Sequence, residues 1–247
     1  MSELMVAAAA REIQDGEIVF VGMRLPLLSF LVAKRTHAPG AIGIYECGII
    51  RETPSSERLY TMADPPNVFG ATQCGQMLDV MGLLQRGAVN VGFLGAAEVD
   101  RFGNLNSTWV RRGSEKIRLP GSGGACDIAC LARRTVVLLE HSRHRLPERV
   151  THVTSPGYGA GHSWRRGQGL PAGSGPSAVI TTLGVLRFGA EEEAYLFSVH
   201  PGVRVEDVLA NTAWKLRVAE TLAETQAPTG AELAVIRELD PNRYWTR

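Results

Sequence analysis

The sequence predicts an α/β fold, an open and mostly parallel sheet flanked by helices. Three observations carry that prediction. The first 46 residues alternate helical spacing with short β-rich apolar runs, in the order helix, strand, helix, strand. Parallel strands joined by helical crossovers read in this way. Several apolar runs end at a charge or a glycine, as strands do where they deliver groups to the C-terminal edge of such a sheet. The 247 residues, 45% apolar and 21% charged, suffice for a proper core and contain no repeat or strong linker, so one domain over 1–247 is expected.

Taken in order, residues 4–14 are Ala-rich with interleaved Glu and Arg, a helix stopped by Asp15-Gly16. Residues 18–21 are a strand ending at Gly22, and Leu25-Pro26 opens a second helix running to Thr36. Pro39-Gly40 breaks it and feeds the run AIGIYECGII at 41–50. Residues 53–66 carry three prolines and read as a loop, and 70–86 return to helical spacing with Met77, Val80, Met81 and Leu84 on one side. Residues 89–95 are a buried strand, and 98–106 are turn chemistry around Gly103-Asn104. The basic stretch 108–119 reads either as a strand or as an exposed arm. A glycine-rich turn at 121–125 precedes a small-residue helix at 126–132 and a strand at 135–139 that ends in Glu140-His141. Residues 155–177 form a long surface excursion. Strands follow at 179–182 and 195–199, helices at 205–212 and 231–239, and a loose tail after Pro241.

The net charge of +1 removes any electrostatic drive toward nucleic acid or an anionic membrane. No charged-then-apolar leader is present and no apolar run approaches the ~20 residues of a membrane span, which implies a cytoplasmic protein. Cys47, Cys74, Cys126 and Cys130 form no CxxC pair. Cys126 and Cys130 share a helix face, but with only His141 and His144 weakly placed nearby, no metal site is expected, and reduced thiols are.

Glu46 follows the β-forming run Ile42, Ile44, Tyr45, with Gly48 two residues beyond and no cation before Arg51. That is how an open sheet presents one reactive carboxylate at its edge, although a charged strand end equally serves as a surface cap. Gly121, Gly123 and Gly124 before a helix let the backbone turn so that its N–H groups point at an anion. The stretch lacks GKS, GKT and GxGxxG, so phosphate-loop readings fail, whereas an oxyanion hole uses the same geometry. A plain tight turn fits as well. Ser122 is not in a GxSxG elbow. Cys47 reads as small packing beside the carboxylate, and His141, His144, His152 and His162 as surface or core histidines.

Six landmarks run in one order: ECG at 46–48, GAAEVDRFGNLNST at 95–108, GSGGACDIA at 121–129, LEHSRHR at 139–145, VTSPGYG at 153–159 and HPGV at 200–203. Together they resemble the β subunit of class I coenzyme A transferases, most closely the glutaconate CoA-transferase type, over nearly the whole chain. The resemblance implies the CoA-transferase/NagB-RpiA-like superfold and a heteromer with an α subunit. It implies that the E-[small]-G glutamate is Glu46, with Cys47 in place of the usual Ser or Asn before Gly48. It also implies that Gly123, Gly124 and Ala125 supply backbone donors to the thioester oxygen. The implied substrates are an acyl-CoA and a carboxylic acid, with CoA as substrate and no further cofactor. The implied route is ping-pong, through an acyl-glutamyl anhydride and a glutamyl-CoA thioester. Arg111, Arg112, Arg165 and Arg166 are candidate contacts for CoA phosphates, and Tyr45, Met62, Phe69 and the 155–177 excursion for the acyl group. Two rival expectations stay open: a CoA-linked cyclic diketone ring hydrolase of steroid breakdown, whose β subunits lack the glutamate, and a non-catalytic ligand-binding module on the same fold.

Overall fold

The computed structural model describes residues 1–55 and 57–246, with the side chain of Arg112 outside the described set. The chain forms two compact units, one of Met1–Phe93 with the segment from Ala227, the other of Leu94–Gln226.

In the first unit, α1 (Ser2–Ala10) is buried from Met5 through its alanine run. β1 (Ile18–Phe20) leads to α2 (Leu25–Arg35), where Pro26 sits in the first turn and its missing N–H costs nothing. β2 (Ile42–Tyr45) lies parallel to β1, with Ile18 opposite Ile42. β3 (Ile49–Arg51) folds back antiparallel on β2. After α3 (Pro65–Val68), β4 (Gln73–Cys74) adds a short antiparallel edge to β3. α4 (Met77–Gln85) then leads to β5 (Val91–Gly95), which pairs parallel with β1 and carries the chain into the second unit. The strand order here is β5-β1-β2-β3-β4, and Phe20, Phe30, Ile44 and Tyr45 are fully buried around it.

In the second unit, β6 (Glu98–Val99) and β7 (Leu105–Asn106) form one antiparallel pair. β8 (Trp109–Arg112) and β9 (Glu115–Arg118) form another. α5 (Ala125–Leu131) precedes β10 (Arg134–Leu139). After the one-turn α6 (Trp164–Gly167), β11 (Pro176–Thr181) pairs parallel with β10. β12 (Gly184–Phe188) and β13 (Ala194–Val199) continue as an antiparallel meander. α7 (Val205–Ala210) returns the chain so that β14 (Arg217–Glu224) lies parallel to β13. The order is β10-β11-β12-β13-β14 over buried Val136, Val137, Val179, Ile180, Leu186 and Leu196. The last helix, α8 (Gly230–Leu239), belongs to the first unit, where it packs on α1 and α2. Its Thr229 cap accepts the Glu232 amide, and Arg11 pairs with Glu232 at 2.7 Å. Among the described residues no helix is long and apolar enough to cross a membrane.

The expected α/β sheet is present, with parallel pairing at its helical crossovers and antiparallel hairpins between them. β3, β12 and β14 go beyond the expected strands. β14 is the clearest case: RVAETLAE lies along an exposed edge with no residue buried, and it shows neither clean alternation nor a continuous apolar run to mark it as a strand. The helix expected over 70–86 starts only at Met77, because Gly70 has φ +67 and residues 73–74 pair with β3. The basic stretch resolves into a hairpin turning at Gly113-Ser114. The tail expected to be loose is pinned through Thr246. Asp240 accepts the amides of Tyr244, Trp245 and Thr246 at 2.7–2.9 Å, and Tyr244 packs edge-on against Trp245.

Candidate active site

Glu46 stands where the buried strand β2 ends and the chain must turn. The Gly48 N–H donates to the Tyr45 carbonyl at 2.9 Å, closing a tight turn into β3 that leaves Glu46 half-buried at its tip. Gly48 has φ +102, and a Cβ there would lie 2.5 Å from the Gly75 carbonyl oxygen. Only glycine permits this approach, which lets Gly75 N–H donate to Gly48 O at 2.9 Å and clamp the turn from its far side. The Cys47 thiol donates to the Met62 carbonyl at 3.3 Å. Burial pushes this thiol above its ordinary value, and Cys74 and Glu46 add to the effect. Cys47 is therefore a protonated packing residue beside the carboxylate.

The wall that holds Met62 is not legible in the sequence. Arg51 is buried, and its guanidinium donates to the carbonyls of Thr53, Pro54, Asn67 and Phe69 at 2.6–3.2 Å, with a longer contact to Pro66. Buried Asn67 in turn donates to Met62 O at 2.7 Å. One arginine thus converts the proline-rich loop into a fixed support for the Glu46 turn. Of the residues expected to shape an acyl pocket, Tyr45 is buried in the core. It lines a cavity of about 20 Å3, room for a water and no more. Phe69 is 79% exposed.

The glycine-rich turn lies in the second unit. Gly121 N–H donates to Ser107 O at 2.8 Å, and the Ser107 hydroxyl returns a bond to Gly121 O at 2.7 Å. Gly121 and Gly123 have φ +101 and +48, so the stretch is a built turn opening α5 at Gly124. Ser122 and Gly123 face solvent. The Ala125 amide donates to Ser122 O at 2.9 Å within the turn. On α5, burial and the neighbouring Cys126 push the Cys130 thiol up to about 11.

Two other landmarks turn out to be scaffolding. Asp100 is buried and accepts the amides of Phe102 and Asn104 and the Asn104 side chain, all within 3.1 Å. Asn104 receives the amides of Gly157 and Gly159 at 2.9 and 3.1 Å. Asn106 donates to Glu98, which also accepts the amide and hydroxyl of Thr151 at 2.8 Å. This network ties the β6–β7 turn to residues 150–159. Burial pushes the Asp100 carboxyl up, and the Asn104 side chain and the surrounding amides pull it back.

The histidines of LEHSRHR and HPGV are structural too. His200 Nε2 lies 2.7 Å from Thr181 O, so that nitrogen carries the proton, and Nδ1 accepts from the Thr225 hydroxyl at 3.0 Å. His141 is buried between the hydroxyls of Thr181 and Thr212, and burial pushes its pKa down to about 4. His144, His152 and His162 are exposed. Arg165, expected at CoA phosphates, is instead 4% exposed, and its guanidinium is spent on Gly157 O, Ala129 O, Cys130 O and Ser174 Oγ. Arg166 is exposed, and the Arg112 side chain lies outside the described residues.

The model of the coenzyme A transferase family matches residues 2–211. A 3-oxoadipate CoA-transferase subunit from Pseudomonas knackmussii is 39% identical over 97% of this chain and 92% of its own. A glutaconate CoA-transferase subunit from Acidaminococcus fermentans is 32% identical over 98% and 92%. The crystal structure of glutaconate coenzyme A-transferase from Acidaminococcus fermentans superimposes with a TM-score of 0.91 at 30% identity, covering 100% of this chain and 96% of that one. The decarboxylase AibA/AibB matches with a TM-score of 0.83 at 28% identity, over 99% and 96%. With the family model spanning most of its length, this chain belongs to the coenzyme A transferase family.

Proposed function

We propose that this chain is the β subunit of a heteromeric CoA-transferase, completed by an α subunit, and that Glu46 is its nucleophile. The observation that carries the reading is the turn itself. In a chain of this family, Glu46 sits in a turn at the C-terminal end of a buried strand, and the backbone of that turn is clamped by Gly48 and Gly75 and underpinned through Cys47 and Met62. A carboxylate is a weak nucleophile, so holding it in one aim is where its catalytic advantage arises.

The chemistry balances without ATP. A Glu46 oxygen attacks the thioester carbonyl, the C–S bond breaks, and an acyl-glutamyl anhydride and CoA thiolate form. The thiolate attacks the Glu46 carbonyl of that anhydride, giving glutamyl-CoA and releasing the first carboxylate. An incoming carboxylate repeats the two steps in reverse, leaving as acyl-CoA and restoring Glu46. Each tetrahedral oxyanion requires hydrogen-bond donors aimed at it. Enclosure by the α subunit keeps water from hydrolysing either intermediate. CoA enters as substrate, and no other cofactor is required. The two relatives named for 3-oxoadipate and glutaconate favour acyl-CoAs of dicarboxylic or keto acids as substrates. The four free thiols suit a cytoplasmic location.

Isotope exchange tests the reading. The complex with its α subunit should exchange a labelled carboxylic acid into its own unlabelled acyl-CoA without a second acid, because a ping-pong enzyme runs each half-reaction alone. Glu46→Gln should abolish the exchange. Net transfer without exchange, or exchange that survives Glu46→Gln, would overturn it.

A further inference from the structure

The β8–β9 hairpin has no role in the chemistry above, yet its charge is not arranged for stability. Its ten residues, WVRRGSEKIR, carry four cations and one carboxylate, whereas the whole chain carries a net +1. The register pairs Trp109 with Arg118 and Arg111 with Lys116. Directly opposed residues share a face, and side chains two apart on one strand share it too. Trp109, Arg111, Lys116 and Arg118 therefore line a single face of the hairpin. Two cations opposite each other repel, and sheets avoid that arrangement. The indole of Trp109 lies beneath both, with Lys116 Nζ at 4.3 Å and the Arg111 guanidinium carbon at 5.8 Å from its centroid. Arg111, Lys116 and Arg118 are exposed, while Val110 and Ile117 of the next pair are half-buried.

The arm is also rooted at the glycine-rich turn. Leu119 N–H donates to Thr108 O, and Gly121 N–H to Ser107 O, so the ladder runs from the hairpin into Gly121. The Thr108 hydroxyl meets Thr154 Oγ1 at 2.7 Å, and Thr154 Oγ1 accepts the Ser107 amide at 2.9 Å.

We propose that this cationic face of the hairpin binds the phosphate-bearing nucleotide end of the CoA thioester. The inference rests on the CoA-transfer reading. The pyrophosphate and the ribose phosphate bring several negative charges to a face whose own cations repel, and charge-assisted bonds to them relieve that repulsion. Gripping the remote end of the substrate is how binding energy is made available at the reacting carbonyl.

The test uses the complex with its α subunit and the variant Arg111→Ala/Lys116→Ala/Arg118→Ala, assayed with an acyl-CoA and with the matching acyl-pantetheine, which lacks the phosphates. KM for the acyl-CoA should rise by about tenfold or more, and the preference for acyl-CoA over acyl-pantetheine should fall by the same factor. Arg111→Lys/Arg118→Lys, which keeps the charge, should restore most of both. An unchanged preference in an active variant would overturn the inference and leave the CoA-transfer reading standing. A variant that no longer co-purifies with the α subunit would overturn it in favour of a subunit contact. A wild-type complex with no isotope exchange from any acyl-CoA would remove the underlying reading and the inference with it.

Discussion

Replacing His141 tests whether the LEHSRHR landmark is scaffold or chemistry. In the folded chain burial holds His141 at a pKa of about 4, against an ordinary 6.5. The unfolded chain therefore binds more protons through that window, and stability falls as pH drops from 6.5 toward 4. Working the linkage through, His141 removes about 2 kcal/mol between pH 8 and pH 5 and about 3 kcal/mol once pH is below its folded pKa. His200, also pushed down by burial, acts in the same direction. The assay is denaturant unfolding of wild-type and His141→Gln chains, followed by circular dichroism from pH 8 to pH 5. The variant should be weaker at pH 8, having lost contacts to Thr181 and Thr212, but its decline on acidification should be shallower by about 2 kcal/mol. Two curves that fall in parallel would refute the reasoning, for they would mean that His141 takes up its proton as easily folded as unfolded.

Other consequences follow from the turn and its supports. Gly48→Ala sets a Cβ against the Gly75 carbonyl at φ +102, so it should cost about 1–3 kcal/mol in strain and abolish transfer. Denaturation midpoints and turnover measure both, and a stable, active variant would contradict the clamp. Arg51→Ala strands the carbonyls of Thr53, Pro54, Asn67 and Phe69 and should cost about 3 kcal/mol or more. Limited proteolysis should then cut within residues 53–69, and Arg51→Lys should not restore protection, because an ammonium cannot span that fan. In timed alkylation at pH 7 read by mass spectrometry, exposed Cys74 should label first. Cys47 and Cys130, whose thiols burial pushes up, should lag, and early labelling of Cys47 would contradict its packing role.

Much of this architecture is readable in the sequence because it is local. The run ending at Glu46 announces a strand by its β-formers and a turn by its glycine, and the GSGGA stretch announces a turn before a helix. What stays dark depends on distant partners. Arg51 reads as one charge after two isoleucines, and nothing nearby says that it gathers carbonyls from residues up to Phe69. Asp100, Asn104 and Asn106 read as turn residues, which they are, but their bonds reach residues 150–159, more than forty positions on. Arg165 misleads for the same reason: an Arg-Arg pair in a Gly-rich stretch suggests a wet surface, while its guanidinium is buried among carbonyls. β14 escapes because an edge strand keeps its polar residues outward and so lacks an apolar signature.

Under the proposed function, Glu46 carries the acyl and CoA groups in turn. The direct measurement is intact and peptide mass spectrometry of the chain in its complex with the α subunit, after brief exposure to an acyl-CoA and quenching without hydroxylamine. A CoA-sized addition confined to the Glu46 peptide, removed by hydroxylamine and absent from Glu46→Ala, is the expected result. An adduct on any other residue, or steady turnover with none on Glu46, would contradict it; water-dependent consumption of a cyclic CoA ester without an adduct would place the chain with the hydrolases.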